Sequence, residues 1–351
     1  MDQIMFVVVH FIIGISIILY PSISKRDVVF GIKVPTAALK DEEIVKLKRN
    51  YVVITSLFAL AMIVIQMIIG SVDSMIFMIF GSLVLYFLIY LVSYKKMKEI
   101  KKEKNWSSSN KTVIDTSFRQ KALTIHPRWY LVYVLVFVIS LVVIMINYDN
   151  LPELLNTRVD NLGQVSGQMP KDNALMYLLG IQASIYLLLI FVQYTIKSAK
   201  QDISSQDASA SVERSVKFRY MVSLIIYVLG LMIGLVFFMT LLFVMGIITD
   251  VKLFVVFTLV STFIPVLILL YLSFKYRQEG SGLDKEESDV IEKDDDAYWK
   301  LGMIYYNPND PAVFVSKRVG VGYSVNHARW QAWAFYLAII AFVVVSMVFG
   351  G

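Results

Sequence analysis

The sequence predicts an all-α integral membrane protein with eight transmembrane helices, both termini outside, and a small cytoplasmic β-hairpin before the last helix. Of its 351 residues, 57% are hydrophobic and only 17% are charged, whereas soluble domains average roughly 25% charged residues. The apolar residues form runs of about 20, the length that a helix needs to cross a hydrocarbon core. Lys and Arg are almost confined to the segments between these runs.

Eight apolar runs without Asp, Glu, Lys or Arg are the predicted spans. They are residues 4–20, 51–70, 75–94, 129–147, 174–196, 220–247, 253–274 and 332–348. Because lipid offers no hydrogen-bond partners, each run must satisfy its own backbone groups as a helix. The first run lacks a basic leader and a small-residue cleavage site, so we expect a retained anchor rather than a signal peptide.

The positions of the basic residues predict the orientation. Thirty of the 33 Lys and Arg residues lie in segments 21–50, 95–128, 197–219 and 275–331, and the others are Arg158, Lys171 and Lys252. The positive-inside rule therefore places these four segments in the cytoplasm. The net charge of +6 follows from this topology, so we expect the lipid bilayer, and no nucleic acid, as a partner.

The predicted organisation has six regions, each defined by its spans and connecting segments. They are three helices with a Gly-x-Lys-x-Pro loop (1–94), a basic cytoplasmic loop (95–128), a helix pair with an outer loop at 148–173 (129–196), a flexible loop with two helices (197–275), an acidic loop with a β-hairpin (276–331) and the last helix (332–351). The hairpin is predicted because aromatic and β-branched runs at 299–306 and 312–316 flank the turn-forming sequence Asn-Pro-Asn-Asp-Pro.

The sequence offers little catalytic chemistry. Ionisable residues inside spans usually mark transport or proteolysis, and the eight runs have none. The chain has no Cys, and His10, His126 and His327 lie on separate segments without metal-ligand spacing. We therefore predict no catalytic residue, no metal site and no cofactor. Gly230 and Gly234 form a Gly-x-x-x-Gly face that indicates close helix packing.

The segment 148–173 is the only sizeable outer connection. Pro152, Gly163, Gly167 and Pro170 give it fixed bends. Its charged residues are candidates for recognition, namely Asp149, Glu153, Arg158, Asp160, Lys171 and Asp172. A solvated connector is the alternative, and the sequence leaves both open.

Three segments resemble SdpI-like bacterial multipass membrane proteins. The family's outer-loop pattern, Leu-Pro, Thr-His-x-Asn and Gly-x-x-Asp-Gly, is similar to the sequence from Leu151-Pro152 through 157–160 to Gly167. Its His-Pro-x-Trp helix entry resembles 125–129, and its Gly-x-Arg-x-Pro loop resembles 31–35. A second domain of unknown function, often fused to the first, is similar to 299–320, including Trp-Lys-Leu-Gly and Asn-Pro-Asn-Asp-Pro.

The resemblance implies two recognition surfaces. The outer one comprises Leu151, Pro152, Arg158, Asp160, Gly163, Gly167 and Lys171. The cytoplasmic docking surface comprises Gly31, Pro35, Trp299, Tyr306, Asn307, Pro308, Asp310, Lys317 and Arg318. The sequence departs from the family pattern where Arg158 replaces a His, Asp160 an Asn and Ser166 an Asp. If that His and Asn carry the family's activity, these substitutions change it.

Three functional hypotheses follow. The resemblance implies immunity to, or sensing of, an extracellular peptide at a bacterial cell membrane, without enzymatic activity and with a cytoplasmic regulator as partner. A transporter or transporter subunit would instead line a cavity with Gln66, Gln182, Gln193 and Asn147. A membrane-surface enzyme would use His327, Asp310 or Arg329, and it ranks last.

Overall fold

The computed structural model describes residues 2–69, 72–109, 113–159, 165–284 and 286–349. The chain divides into two compact units. Unit 1 comprises Met1–Lys121, Ala199–Phe218 and Leu270–Ala332, and unit 2 comprises Ala122–Ser198, Arg219–Leu269 and Trp333–Gly351.

Helices dominate both units. In chain order they are α1 (Asp2–Ile18), α2 (Tyr20–Ile23), α3 (Glu42–Ile69), α4 (Val72–Lys104), α5 (Leu131–Asn147), α6 (Lys171–Ser198), α7 (Ala208–Val244), α8 (Val251–Tyr276) and α9 (Trp330–Phe349). Within the described ranges, six helices, α3 to α8, are long and apolar enough to cross a bilayer, while α1 and α9 hold shorter apolar stretches, Val7–Ile18 and Trp330–Ala341. The predicted class, a helical multipass membrane protein, is confirmed.

The long helices continue beyond the predicted apolar runs. The side chain of Asp41 accepts a hydrogen bond from the Glu43 N–H at 3.0 Å, which caps the start of α3. Glu42 and Glu43 occupy its first turn, where carboxylates favour the positive end of the helix dipole. The lysine-rich end of α4 is helical up to Lys104, and cations favour that terminus for the same reason.

The strands form short antiparallel hairpins. They are β1 (Val28–Val29) with β2 (Ile32–Lys33), β3 (Leu154–Val159) with β4 (Val165–Pro170), β5 (Trp299–Lys300) with β6 (Ile304–Tyr305), and β7 (Phe314–Ser316) with β8 (Tyr323–Val325). The predicted pairing of 299–306 with 312–316 is wrong. The run 299–306 instead folds back on itself as β5–β6, and the run 312–316 pairs with the later strand β8. Leu301, Gly302, Gly320 and Gly322 adopt the positive φ angles of the connecting turns.

Parts of the four basic connecting segments assemble into one body within unit 1, here called the polar module (19–41, 105–109, 113–121, 199–207, 277–284 and 286–329). The Ala37 N–H donates to the Ser288 carbonyl at 3.0 Å, and Ile291 donates to Ser107 at 2.9 Å. Another link, from the Lys200 N–H to the Phe314 carbonyl at 2.9 Å, joins the third segment to the fourth. These backbone hydrogen bonds fix the relative positions of segments that are far apart in sequence.

Candidate functional site

The turn between β1 and β2 packs against the turn between β5 and β6. Gly31 has a φ of +79°, and a Cβ built there would lie 2.6 Å from the Gly302 Cα. The Tyr90 hydroxyl lies against both turns, 3.2 Å from the Phe30 carbonyl and 3.1 Å from the Leu301 carbonyl. Gly31 is therefore needed for close backbone approach.

Arg318 is the centre of a buried ion cluster. Its side chain is 3% exposed, and its guanidinium donates to Asp295, to Asp296 and to the Gly31 carbonyl. Burial alone would lower the pKa of Arg318, but attraction to the two carboxylates outweighs it and the pKa is raised. Arg318 therefore carries a permanent charge that ties the acidic tract to the β1–β2 turn.

Within the Asn-Pro-Asn-Asp-Pro sequence, Asn307 and Asp310 are buried in a polar network, whereas Pro308 and Asn309 form an exposed turn between them. The Tyr305 hydroxyl donates to Asp310 at 2.8 Å, and Lys200 donates to the same carboxylate oxygen at 2.6 Å. Burial alone would raise the pKa of Asp310, but hydrogen bonds from Lys200, the Ala312 N–H and Tyr305 lower it below its ordinary value. The network holds Asp310 as a carboxylate.

Asn326 organises this network, although no local sequence pattern predicts its role. It is fully buried. Its Oδ1 accepts from the Asn307 N–H at 3.0 Å and the Ala328 N–H at 3.2 Å, and its Nδ2 donates to the carbonyls of Asn307 at 2.9 Å and Asp310 at 3.1 Å. All four hydrogen-bonding positions of the amide are thus used.

Replacing Asn326 with aspartate should lower the free energy of unfolding by about 2 kcal/mol. An oxygen would replace Nδ2 and face two carbonyl oxygens, which leaves buried acceptors without a donor. Denaturant titration of the purified protein in detergent measures the change. Asn309→Asp is the matched control, because Asn309 is exposed in the same loop. An equal loss in both variants would contradict the assigned role.

The nine predicted docking residues all lie in unit 1, and six of them are buried. The buried ones are Gly31, Pro35, Trp299, Asn307, Asp310 and Arg318, and the exposed ones are Tyr306, Pro308 and Lys317. Trp299 packs on Tyr305 with ring centroids 4.9 Å apart. The six buried residues hold the polar module together. A partner could contact only the three exposed residues of this group directly.

The segment predicted as an outer loop is an antiparallel hairpin, β3–β4, that leads directly into α6. Leu151 and Leu155 are buried and pack with Ala174 and Leu175 in an apolar cluster of unit 2. The Lys171 ammonium lies 3.2 Å from Glu153 and 4.6 Å from the centroid of the Tyr148 ring. These contacts anchor the base of the hairpin, which the sequence analysis predicted only as a bent loop.

Only some of the other predicted outer-loop residues lie in the part of the chain that the structure describes. Gly167 pairs with Arg158 in the hairpin register, and Pro152 is exposed. Asp160 and Gly163 lie outside the described residues, as does any contact between Arg158 and Asp160.

The amides proposed to line a transport path make contacts inside the protein. Gln193 donates to the Ser223 carbonyl at 2.7 Å, and Gln182 donates to the Tyr186 hydroxyl at 3.4 Å. Asn147 donates to the carbonyl of Val143 on its own helix at 2.8 Å. The Gln193 bond joins α6 to α7 and favours a role of this residue in helix packing, whereas the bonds of Gln182 and Asn147 each lie within one helix.

The fold and these surfaces define a helical multipass membrane protein. Residues 308–333 match a family of unknown function, DUF5808. This segment runs from the Asp310 network through β7, β8 and Asn326 to the start of α9. The comparison with curated proteins and the comparison with solved structures each found no match.

Proposed function

We propose that this protein is an eight-span, SdpI-like component of a bacterial cell membrane that senses, or gives immunity to, an extracellular peptide. It acts without catalysis. The β3–β4 hairpin contacts the peptide, and the polar module engages a cytoplasmic regulator through Tyr306, Pro308 and Lys317. The observation that carries the proposal is the joining of all four basic segments in one folded module.

That module also supports the proposed orientation. Segments that hydrogen-bond to one another lie on the same side of a membrane, so an even number of spans separates each from the next. The pairs α3 and α4, α5 and α6, and α7 and α8 meet this condition. The concentration of Lys and Arg in these segments favours the cytoplasm as their side, and α1 and α9 complete eight spans with both termini outside.

The orientation predicts the labelling of single cysteines, which are easily introduced because the chain has none. Glu153→Cys on the outer hairpin should react with a membrane-impermeant maleimide on intact cells, since the Glu153 side chain is 88% exposed. Glu287→Cys in the polar module should react only after permeabilisation. Its side chain is 43% exposed, so accessibility to solvent is not limiting. Labelling of Glu287→Cys from outside would reverse the orientation.

Peptide protection is tested by deleting the gene and challenging cells with a broad panel of secreted antibacterial peptides. We expect at least one peptide to inhibit the deletion strain at a severalfold lower concentration, and the wild-type gene to restore resistance. Leu154→Glu, which changes a 52% exposed side chain on β3, should fail to restore it at equal membrane abundance. Lys252→Gln, in the first turn of α8, is the matched control. Unchanged sensitivity across the panel would contradict the proposal.

A further inference from the structure

A cleft of about 240 Å³ lies within unit 1. Its walls come from all four segments of the polar module, so no single stretch of sequence indicates it. Small-molecule pockets typically start at about 300 Å³, so this cleft suits a headgroup or a small metabolite. Its charged lining consists of Lys25, Lys33, Arg119, Lys200, Asp202, Glu292 and Lys293.

Three of the five basic residues have carboxylate partners. Lys25 lies 2.8 Å from Asp202, Lys200 lies 2.6 Å from Asp310, and Lys33 pairs with Asp27. Burial alone would lower the pKa of Lys25, but attraction to Asp202 and Asp27 outweighs it and the pKa is raised. Lys25 is therefore charged at neutral pH.

The carboxylate of Glu292 already accepts hydrogen bonds from nearby residues. Its carboxylate accepts from the Ser204 hydroxyl at 2.7 Å and from the N–H groups of Ser205 at 3.2 Å and Gln206 at 3.3 Å. Arg119 and Lys293 also line the cleft, and neither forms a salt bridge within the part of the chain that the structure describes. Counted formally, Glu292 offsets one of these two cations, so the lining has an excess of one positive charge.

The lining of the cleft also includes apolar side chains. Val113, Ile114, Phe118 and Ile203 line it, and the Ile114 side chain stays 69% exposed. An anionic group beside the cations would therefore have a hydrophobic surface next to it for the rest of its molecule. Cations next to apolar side chains suit a phosphate ester better than a free inorganic ion.

We infer that the cleft binds the phosphate group of an organic ligand, with Arg119 and Lys293 as its contacts. The phosphate belongs either to an anionic lipid headgroup or to a soluble phosphate ester. A phosphate monoester carries a charge of about −1.5 to −2 at neutral pH, and its oxygens would accept charge-assisted hydrogen bonds from Arg119 and Lys293. The inference is independent of the proposed function, because these residues belong to neither recognition surface.

The test is calorimetric titration of the full-length protein in neutral detergent, in phosphate-free buffer, with inorganic phosphate and with glycerol 3-phosphate as probes. We expect saturable binding of both, tighter for the ester because its carbon chain meets the apolar wall. Arg119→Gln and Lys293→Gln should each weaken binding at least about fivefold. Neither residue makes a salt bridge with any described residue, so thermal stability should be unchanged.

Lys40→Gln is the matched control, since Lys40 is an exposed lysine of the same module whose side chain pairs with Glu287. Its phosphate affinity should equal that of the wild type. Repeating the titration in nanodiscs assigns the source. Competition by phosphatidylglycerol, relative to phosphatidylcholine, identifies a lipid ligand, and equal affinity in both identifies a soluble one. Absence of saturable binding, or equal weakening in Lys40→Gln, would overturn the inference.

Discussion

Replacing Gly234 with alanine should lower the free energy of unfolding by about 3 kcal/mol, at the upper end for overpacking. A Cβ at this position would lie 1.8 Å from the Tyr186 hydroxyl oxygen and 2.8 Å from the ring carbon that carries it. The ring cannot easily move aside, because it stacks on Tyr133 at 4.5 Å between centroids, and Tyr133 stacks on Tyr227 at 5.4 Å. SDS titration in mixed micelles measures the loss.

Gly180→Ala is the matched control. Gly180 lies on α6 in the same unit, and a Cβ there would have no atom within 4 Å. Since alanine is favoured over glycine in a helix by about 1 kcal/mol, this variant should be neutral or more stable. Adding Tyr186→Phe to Gly234→Ala removes the closest contact and should recover part of the loss. Equal stability of the two alanine variants would show that the tyrosine stack is loose.

The Gly-x-x-x-Gly motif illustrates what the sequence could predict. It correctly indicated close packing around α7, but the partners are two tyrosine hydroxyls rather than the backbone of another helix. A Cβ at Gly230 would lie 2.1 Å from the Tyr133 hydroxyl oxygen, and that hydroxyl donates to the Tyr227 carbonyl at 2.8 Å. A glycine spacing identifies a surface that permits close approach. The side chain that approaches depends on other helices.

Helix class was predictable because hydrophobic runs and basic flanks are local signals, each read within about 20 residues. The residues at which the helices begin and end were not predictable from these signals. α3 starts at Glu42, whereas the apolar run starts at Tyr51, because Glu and Lys are strong helix formers that hydropathy excludes. The apolar run corresponds to the membrane-spanning part of a longer helix.

The polar module could not be predicted, because its interactions join residues that are far apart. Asn326 fixes Asn307 through hydrogen bonds that span 19 positions, and Lys200 reaches Asp310 across 110. The predicted turn forms at Pro308 and Asn309, but the flanking residues Asn307 and Asp310 are buried. Asn307 and Asp310 have the composition of an exposed turn, yet donors from distant segments satisfy them and allow their burial.

Replacing Arg318 with methionine should lower the free energy of unfolding by about 3 to 4 kcal/mol, the usual result of removing one partner from a buried ion cluster. Asp296 would keep its contact with Lys101 at 2.6 Å. Asp295 has no other salt bridge within the described residues, so its partly buried carboxylate would lose its counter-ion. The packing of the guanidinium over Trp299, at 5.2 Å from the ring centroid, would be replaced by the thioether.

The stranded carboxylate is the physical cause, so a second change should relieve it. Arg318→Met combined with Asp295→Asn should recover at least about 1 kcal/mol, since a neutral amide costs less to leave without a charged partner. Lys40→Met removes an exposed pair, in which the Lys40 and Glu287 side chains are 76% and 43% exposed, and should cost under about 1 kcal/mol. Denaturant titration of the four proteins gives the comparison. If Arg318→Met were as mild as Lys40→Met, the acidic tract would be held by its backbone hydrogen bonds and not by Arg318.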